Sequence, residues 1–287
     1  MAGRAIVTGA NSGIGLATAL RLAGDGFEVF AGARRPEALE GIAEAAAAAG
    51  VEGVRPTLID VVDDASVADA IGAIAAEGPV AVLVNNAGIT GAGSVEETPL
   101  EQWRAMWETN VAGVVRCTQA VLPSMREARA GRIVNISSSS AITSPPLMAP
   151  YASTKSAVEA ISESLQAEVA PFGIRVIAVR AGTILTPIWG KSEAPPEGTA
   201  YPAARDFLLK VLSHQLTTSG VAPEAVADAI AEAVAADAPP IRTMVGDAQV
   251  LHDLKENHGD ELFEVYFLDD EAFRVRYAEM SGIAYWG

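Results

Sequence analysis

Arg4-Ala5-Ile6-Val7-Thr8 runs straight into Gly9-Ala10-Asn11-Ser12-Gly13-Ile14-Gly15. The first five residues are a short run rich in β-branched and small apolar residues, which reads as a strand. Glycine then recurs as Gly-x-x-x-Gly-x-Gly, a spacing that differs from the G-x-G-x-x-G fingerprint. Past the turn, Ile14, Ala17, Leu20, Leu22 and Ala23 recur with helical spacing, and Gly24 and Gly26 end the run. Strand, glycine turn and helix open a parallel α/β unit. Glycines at the turn let the backbone fold tightly, and they let a pyrophosphate approach the amides of the helix N-terminus.

Working outward, Phe27–Ala31 reads as the second strand, returning parallel after the crossover helix. Near the end of such a strand an NAD-binding unit carries an acidic residue for the ribose hydroxyls. Here the residues are Ala33, Arg34 and Arg35. Two guanidiniums suit a 2′-phosphate, and no carboxylate stands there to repel it. The pattern favours NADP(H) over NAD(H). Pro36–Ala49 reads as an alanine-rich helix, Gly53–Ile59 as the third strand and Asp63–Glu77 as a helix with an acidic first turn. Asp60-Val61 lies at the third strand's end, where a carboxylate can accept from an adenine amino group. Val80–Val84 is apolar throughout, as a strand buried on both faces should be, and runs into Asn85-Asn86-Ala87-Gly88. Small and amide residues at that end fit the crevice where open parallel sheets bind ligands.

Glu101–Ala128 reads as one long helix, with Asn110 inside it as a residue able to hold a water or open the helix ladder. Arg132–Ser137 is the next strand, and Ser138 stands where the strand pattern stops. From Tyr151 to about Pro171 the apolar residues Ala157, Val158, Ile161, Leu165 and Val169 have helical spacing. Tyr151 and Lys155 are then neighbours on one helix face. A free phenol titrates near pH 10, and a lysine ammonium beside it is expected to lower that value. A tyrosine so tuned can exchange a proton at a carbonyl or carbinol, with a hydroxyl from the strand end holding the oxygen. Ile174–Val179 is another buried strand, followed by Arg180-Ala181-Gly182.

With these residues in place, the chain resembles the short-chain dehydrogenase/reductase family over about residues 3–190, and more loosely to about 246. Thr8-Gly9-x-x-x-Gly13-x-Gly15 is similar to that family's dinucleotide turn, Asp60-Val61 to its adenine contact and Asn85-Asn86-Ala87-Gly88 to its motif on the fourth strand. Asn110, Ser138, Tyr151 and Lys155 match its catalytic tetrad, and Ile184-Leu185-Thr186 the segment at the nicotinamide carboxamide. The resemblance implies a doubly wound parallel sheet of the Rossmann type and NADP(H)-dependent interconversion of a ketone or aldehyde and an alcohol. It implies that Ser138 orients the substrate oxygen, Tyr151 is the general acid or base, Lys155 lowers the tyrosine pKa and bonds the nicotinamide ribose, and Asn110 supports a proton-relaying water. Gly9, Asn11, Ser12, Gly13, Ile14, Gly15, Arg34, Arg35, Gly182, Ile184 and Thr186 would line the cofactor. One departure is Ala181-Gly182, where the family usually has Pro-Gly. An NAD-preferring alcohol or hydroxysteroid dehydrogenase and a non-catalytic NADP(H)-binding regulator are the alternative readings. Members commonly associate through the helices carrying Asn110 and Tyr151, so a homodimer or homotetramer is expected.

Pro187 to about Ser219 reads as a substrate loop with small helices, and its apolar residues, including Ile188 and Trp189, suggest an apolar or bulky substrate. Ser140, Ile142 and Met148 are candidates for the other wall. Pro223–Ala236 reads as a helix and Ile241–Val245 as the last strand. We divide the chain into a catalytic unit, 1–246, and an extension, 247–287. The extension holds Phe263, Tyr266, Phe267, Phe273, Tyr277, Tyr285 and Trp286. Disordered tails are poor in aromatics, so it should pack, either over the substrate pocket or on a neighbouring subunit. Arg34 together with this extension resembles the hydroxysteroid and retinol dehydrogenase branch of the family.

Composition bounds the rest. With 20 basic against 36 acidic residues the net charge is −16, which disfavours nucleic acid and anionic membrane as partners. A lone cysteine and three separated histidines offer neither a disulfide nor a metal-ligand pair, so no metal is expected. No apolar run is long enough to span a bilayer, and a first strand near Arg4 leaves no room for a signal peptide. Cytoplasmic location is the expectation.

Overall fold

The structure is a computed structural model that describes residues 3–191, 195–266 and 268–282. Phe267, Tyr285 and Trp286, named above as packing aromatics, lie outside the described residues. Seven parallel strands form one sheet in the order β3-β2-β1-β4-β5-β6-β7. They are β1 (Arg4–Val7), β2 (Glu28–Ala33), β3 (Val54–Leu58), β4 (Val80–Asn85), β5 (Gly131–Ser138), β6 (Ile174–Ala181) and β7 (Arg242–Val245). The strand order reverses between β1 and β4. At such a switch point the loops leave in opposite directions and open a crevice at the carboxyl ends of the strands.

Helices cover both faces, as a parallel sheet requires. On one side α1 (Gly13–Gly24), α2 (Glu37–Ala48) and α9 (Pro223–Ala235) bury Leu22, Ile42 and Ile230 against Val29, Val84 and Val179. On the other, α3 (Asp64–Glu77), α5 (Gly113–Ala128) and α6 (Ala149–Val169) bury Ile71, Val121 and Leu165 against Ile6, Leu83 and Ile133. Cys117 is sealed into this second layer at 1% exposure, and burial pushes its thiol up to about 12. Among the described residues no helix is long and apolar enough to cross a membrane.

Two expectations on element shape need correction. The helix expected over Glu101–Ala128 is α4 (Leu100–Trp107) and α5 joined by a π-helical turn, Glu108–Ala112, with Asn110 at its centre. The asparagine side chain, turned inward, widens the ladder there. The segment expected to be a loop with small helices holds α7 (Ile188–Lys191) and then a 17-residue helix, α8 (Pro202–Thr218). Pro202 stands in the first turn of that helix, where its missing N–H costs nothing.

Beyond β7 the chain continues as α10 (Ala248–His258), α11 (Glu261–Val265) and α12 (Asp270–Ser281). Leu254, Leu262, Val265, Phe273 and Tyr277 form a small core of their own around Phe207 of α8. Phe207 meets the Phe273 ring edge-on at 4.8 Å and the Tyr266 ring at 5.4 Å. The Lys255 ammonium donates to the Ile142 carbonyl at 2.6 Å, fastening α10 to the segment that leaves β5.

Candidate active site

One cavity of about 630 Å³ lies along the carboxyl ends of the strands. Its first part is built by the turn between β1 and α1. Gly9 and Gly13 have φ of +65° and +54°, the left-handed region that a side chain opposes. A Cβ on Gly13 would come within 3.0 Å of the Thr186 methyl, and one on Gly9 within 2.9 Å of the Ala87 Cα. Ser12 precedes α1 but caps none of its amides. The β1 and β4 ends are tied together across the switch point. The Asn86 and Ala87 amides both donate to the Thr8 hydroxyl at 3.0 Å, and the Asn86 side chain donates to the Thr8 and Gly9 carbonyls. Thr8, quoted above only as the first residue of the glycine motif, is the hydroxyl that joins the two strand ends.

Asn11, Ile14, Arg34, Arg35, Asp60, Val61 and Gly88 complete this part of the wall. Arg34 and Arg35 are exposed at its rim, and neither has an ion-pair partner among the described residues. Gly15 does not reach the cavity. A Cβ there would overlap the Gly9 carbonyl and the Asn86 amide, so its role is the close approach of helix to strand. Glycines with positive φ, a helix N-terminus and two unpaired cations fit an elongated ligand with a phosphate at one end and a diphosphate on the turn.

The middle of the cavity is where β5 ends and α6 begins. The register pairs Ser138 with Ala181, so the two strand ends are side by side. The Ser138 hydroxyl accepts from the Ser140 amide at 3.1 Å and is hydrogen-bonded to Tyr151. Lys155, one turn along α6, donates from Nζ to the Ile136 carbonyl at 2.7 Å and lies 5.7 Å from the centre of the Tyr151 ring. Its buried ammonium is pushed down to about 8 by burial.

The expected lowering of the tyrosine pKa by this lysine is not what the chain itself produces. Burial pushes the Tyr151 phenol up to about 12, and its bond with Ser138 offsets only part of that rise. The ring is half-buried and faces the cavity. Removal from water disfavours both charged forms, phenolate and ammonium, and outweighs their mutual attraction here.

Asn110 stands behind this group and does not line the cavity. Its side-chain oxygen accepts from the Ile89 amide at 2.8 Å, and its nitrogen donates to the Ile89 carbonyl at 2.9 Å and to Thr154 at 3.0 Å. The expected water-holding role therefore cannot fall to a free side-chain amide, since that amide is fully engaged.

The third part of the cavity is walled by Ser140, Met148, Ile188 and Trp189, as expected, and by Leu208 and Leu212 of α8. Ile142 is a correction. It is 4% exposed and off the wall, because its side chain turns into the core while its carbonyl takes the bond from Lys255. Gly182, Ile184 and Thr186 lie between the middle and this end. The extension supplies Leu251, Tyr266, Phe273 and Tyr277 to the wall. Among the described residues, Arg34, Arg35, Asp60 and Lys155 are the charged ones on the lining, and all are in the first two parts. The third part is apolar with hydroxyls and one amide, Gln215. Among the described residues no group of side chains is placed to hold a metal ion.

Comparison with known proteins agrees with this geometry. The family model described as short chain dehydrogenase matches residues 4–197. The chain is 40% identical over 232 residues to the uncharacterized oxidoreductase YusZ of Bacillus subtilis, covering 79% of this chain and 82% of that protein. It is 37% identical to 3-ketodihydrosphingosine reductase of Bacteroides thetaiotaomicron, covering 84% and 87%. The crystal structure of a short-chain dehydrogenase from Streptomyces avermitilis superimposes with a TM-score of 0.78 at 35% identity, covering 92% of this chain and 94% of that one. A doubly wound parallel sheet, a serine, tyrosine and lysine where β5 ends and α6 begins, and these matches lead to one conclusion: the chain belongs to the short-chain dehydrogenase family, and it is an oxidoreductase of that family.

Proposed function

We propose that this chain is an NADP(H)-dependent oxidoreductase that interconverts a ketone or aldehyde and an alcohol on an apolar substrate. The observation that carries the reading is a gradient along one cavity. Glycine turn and free arginines lie at one end, an uncharged apolar chamber at the other, and Ser138, Tyr151 and Lys155 where the two meet. The similarity to a protein named 3-ketodihydrosphingosine reductase supports a carbonyl as the reacting group.

The nicotinamide, when bound, supplies the hydride or takes it up. Arg34, joined by Arg35, would hold the 2′-phosphate, and Gly9, Asn11, Ser12, Gly13 and Ile14 the diphosphate. Asp60, Val61, Ala87 and Gly88 would flank the adenosine half, and Gly182, Ile184 and Thr186 the carboxamide end. Ser138 holds the substrate oxygen beside Tyr151. A phenol near 12 is fully protonated at neutral pH, so the tyrosine stands ready as the acid for reduction. In oxidation the same hydroxyl must give up its proton first, and the Lys155 charge beside it favours that loss.

The test is the loss of reduced-nicotinamide absorbance with NADPH, then NADH, against aldehydes, aryl ketones, steroids and retinoids. Tyr151→Phe runs in parallel and is expected to cost on the order of 10²–10⁴ in rate. Turnover that survives in Tyr151→Phe at the wild-type rate defeats the proposal.

A further inference from the structure

Asp63, Asp247 and Asp269 each stand at a helix N-cap, the position where an aspartate ordinarily bonds the helix's own amides. Asp63 accepts from the Ser66 amide and Asp269 from the Ala272 amide, each closing the helix that it precedes. Asp247 precedes α10 and caps none of its amides. Its carboxylate is turned to the segment that follows β6 instead. Oδ1 accepts from the Thr183 amide at 2.9 Å, and Oδ2 from the Thr183 hydroxyl at 3.0 Å and from the Ser219 hydroxyl at 3.3 Å.

This carboxylate joins three segments of the chain. Thr183 is buried at 5% exposure, inside the Gly182–Thr186 loop that walls the middle of the cavity. Ser219 is the cap residue that ends α8, the helix over the apolar chamber. Asp247 itself begins the extension. The fit is tight on the loop side. A Cβ on Gly182 would overlap Asp247 Oδ1 and lie 2.9 Å from the Asp247 and Ala248 amides. The glycine at 182 and the aspartate at 247 are therefore two halves of one contact. Main-chain bonds from Gly182 to Val245 and between Thr183, Leu185 and Val221 hold the loop's edges, while the carboxylate holds its centre.

We infer that Asp247 is a positioning residue for the reaction. It fixes the Gly182–Thr186 loop against the nicotinamide and keeps that loop in register with α8. A helix cap diverted from its own helix to a loop on the cavity wall is what such a role requires. The inference rests on the proposed nicotinamide-binding reading of that loop.

The experiment uses the full chain and the variants Asp247→Ala, Asp247→Asn and Gly182→Ala. NADPH affinity is measured by fluorescence titration. kcat, KM and the isotope effect with NADPH deuterated at the transferring position are measured on a carbonyl that the wild type reduces, and melting temperature is recorded alongside. Asp247→Ala is expected to weaken NADPH about tenfold and to lower kcat by at least as much, the scale of a lost hydrogen bond to a charged group. Asp247→Asn is expected to stay close to wild type, since its amide oxygen still accepts from the Thr183 amide and its nitrogen donates to the two hydroxyls. Gly182→Ala should impair the same readouts at least as strongly, since its Cβ displaces the carboxylate and also presses on the Asp247 and Ala248 amides, and the double variant should fall short of the summed losses because the carboxylate contact is shared. Should Asp247→Ala fail to fold, Gly182→Ala and Asp247→Asn decide by the same readouts. A lower melting temperature with NADPH affinity, kcat and isotope effect unchanged would overturn the inference and leave the proposed function standing. A wild-type chain that binds neither NADPH nor NADH overturns both.

Discussion

At the scale of single residues, the pair at the centre of the cavity makes a pH prediction whose sign follows from burial. Lys155 is pushed from its ordinary 10.5 to about 8, so between those values it is neutral in the folded chain and charged in the unfolded one. The unfolded state then holds more protons, and stability rises with pH across that window. Tyr151 acts in the opposite sense, but only above its ordinary value of 10. Between about pH 8 and 10 the cofactor-free chain should gain on the order of 2 kcal/mol from this lysine. Urea titrations along that range should show the gain in the wild type and its absence in Lys155→Met. At the other end of the cavity, Arg34→Asp places a carboxylate where the 2′-phosphate is proposed to sit. NADPH affinity should fall about ten- to a hundredfold relative to NADH. Equal affinities before and after the change would refute the NADP(H) assignment.

At the scale of elements, the π-helical turn at Glu108–Ala112 is a joint and not an irregularity. It swings Asn110 inward, where one buried side chain makes three bonds, two of them to the backbone of Ile89 in the loop that follows β4. Asn110→Ala leaves the Ile89 amide and carbonyl without that partner. We expect a loss of about 2–4 kcal/mol in chemical denaturation, with substrate KM less affected than stability. The turn also shows what sequence can and cannot reveal. An asparagine inside a helical pattern marks the place, but whether it holds water or opens the ladder depends on Ile89, which lies 21 positions away. Strands were legible for a simple reason. Val80–Asn85 and Ile174–Ala181 are buried on both faces, so apolar continuity survives in the sequence. Strand ends were less so. Glu28–Ala33 and Gly131–Ser138 extend past their apolar runs because neighbouring strands, not side chains, supply their bonds. The long α8 was hidden behind the breakers Pro195, Pro196 and Gly198, which precede it and make the whole segment read as a loop. The proposed catalytic residues stand out as spacing, whereas the environment of Tyr151 does not: its pKa is set by atoms that fold around it.

At the scale of the whole molecule, the extension completes a wall that the sheet and its helices leave open. Phe273 and Tyr277 line the cavity and pack with Phe207, so α12 walls the chamber together with α8. A chain ending after His258 keeps Asp247 and α10 but removes Tyr266, Phe273 and Tyr277. It should bind NADPH as the full chain does, while KM for a bulky apolar carbonyl rises about tenfold or more from the lost apolar area. Unchanged KM would mean that these rings serve only to bury one another. The aromatic enrichment of residues 247–287 made a packed extension foreseeable. Which face it packs on was not, because that depends on contacts between residues more than fifty positions apart.

The sealed position of Cys117 makes the molecule report on its own opening. A thiol held near 12 and shut between α5 and the sheet presents almost no thiolate to a labelling reagent at neutral pH. It becomes reactive only when the layer that carries Asn85, Thr118 and Asn135 comes apart. Labelling rate, followed by mass on the untouched wild-type chain, is thus a clock for exposure of the second core. Saturating NADPH should slow that clock if cofactor and core share one cooperative unit.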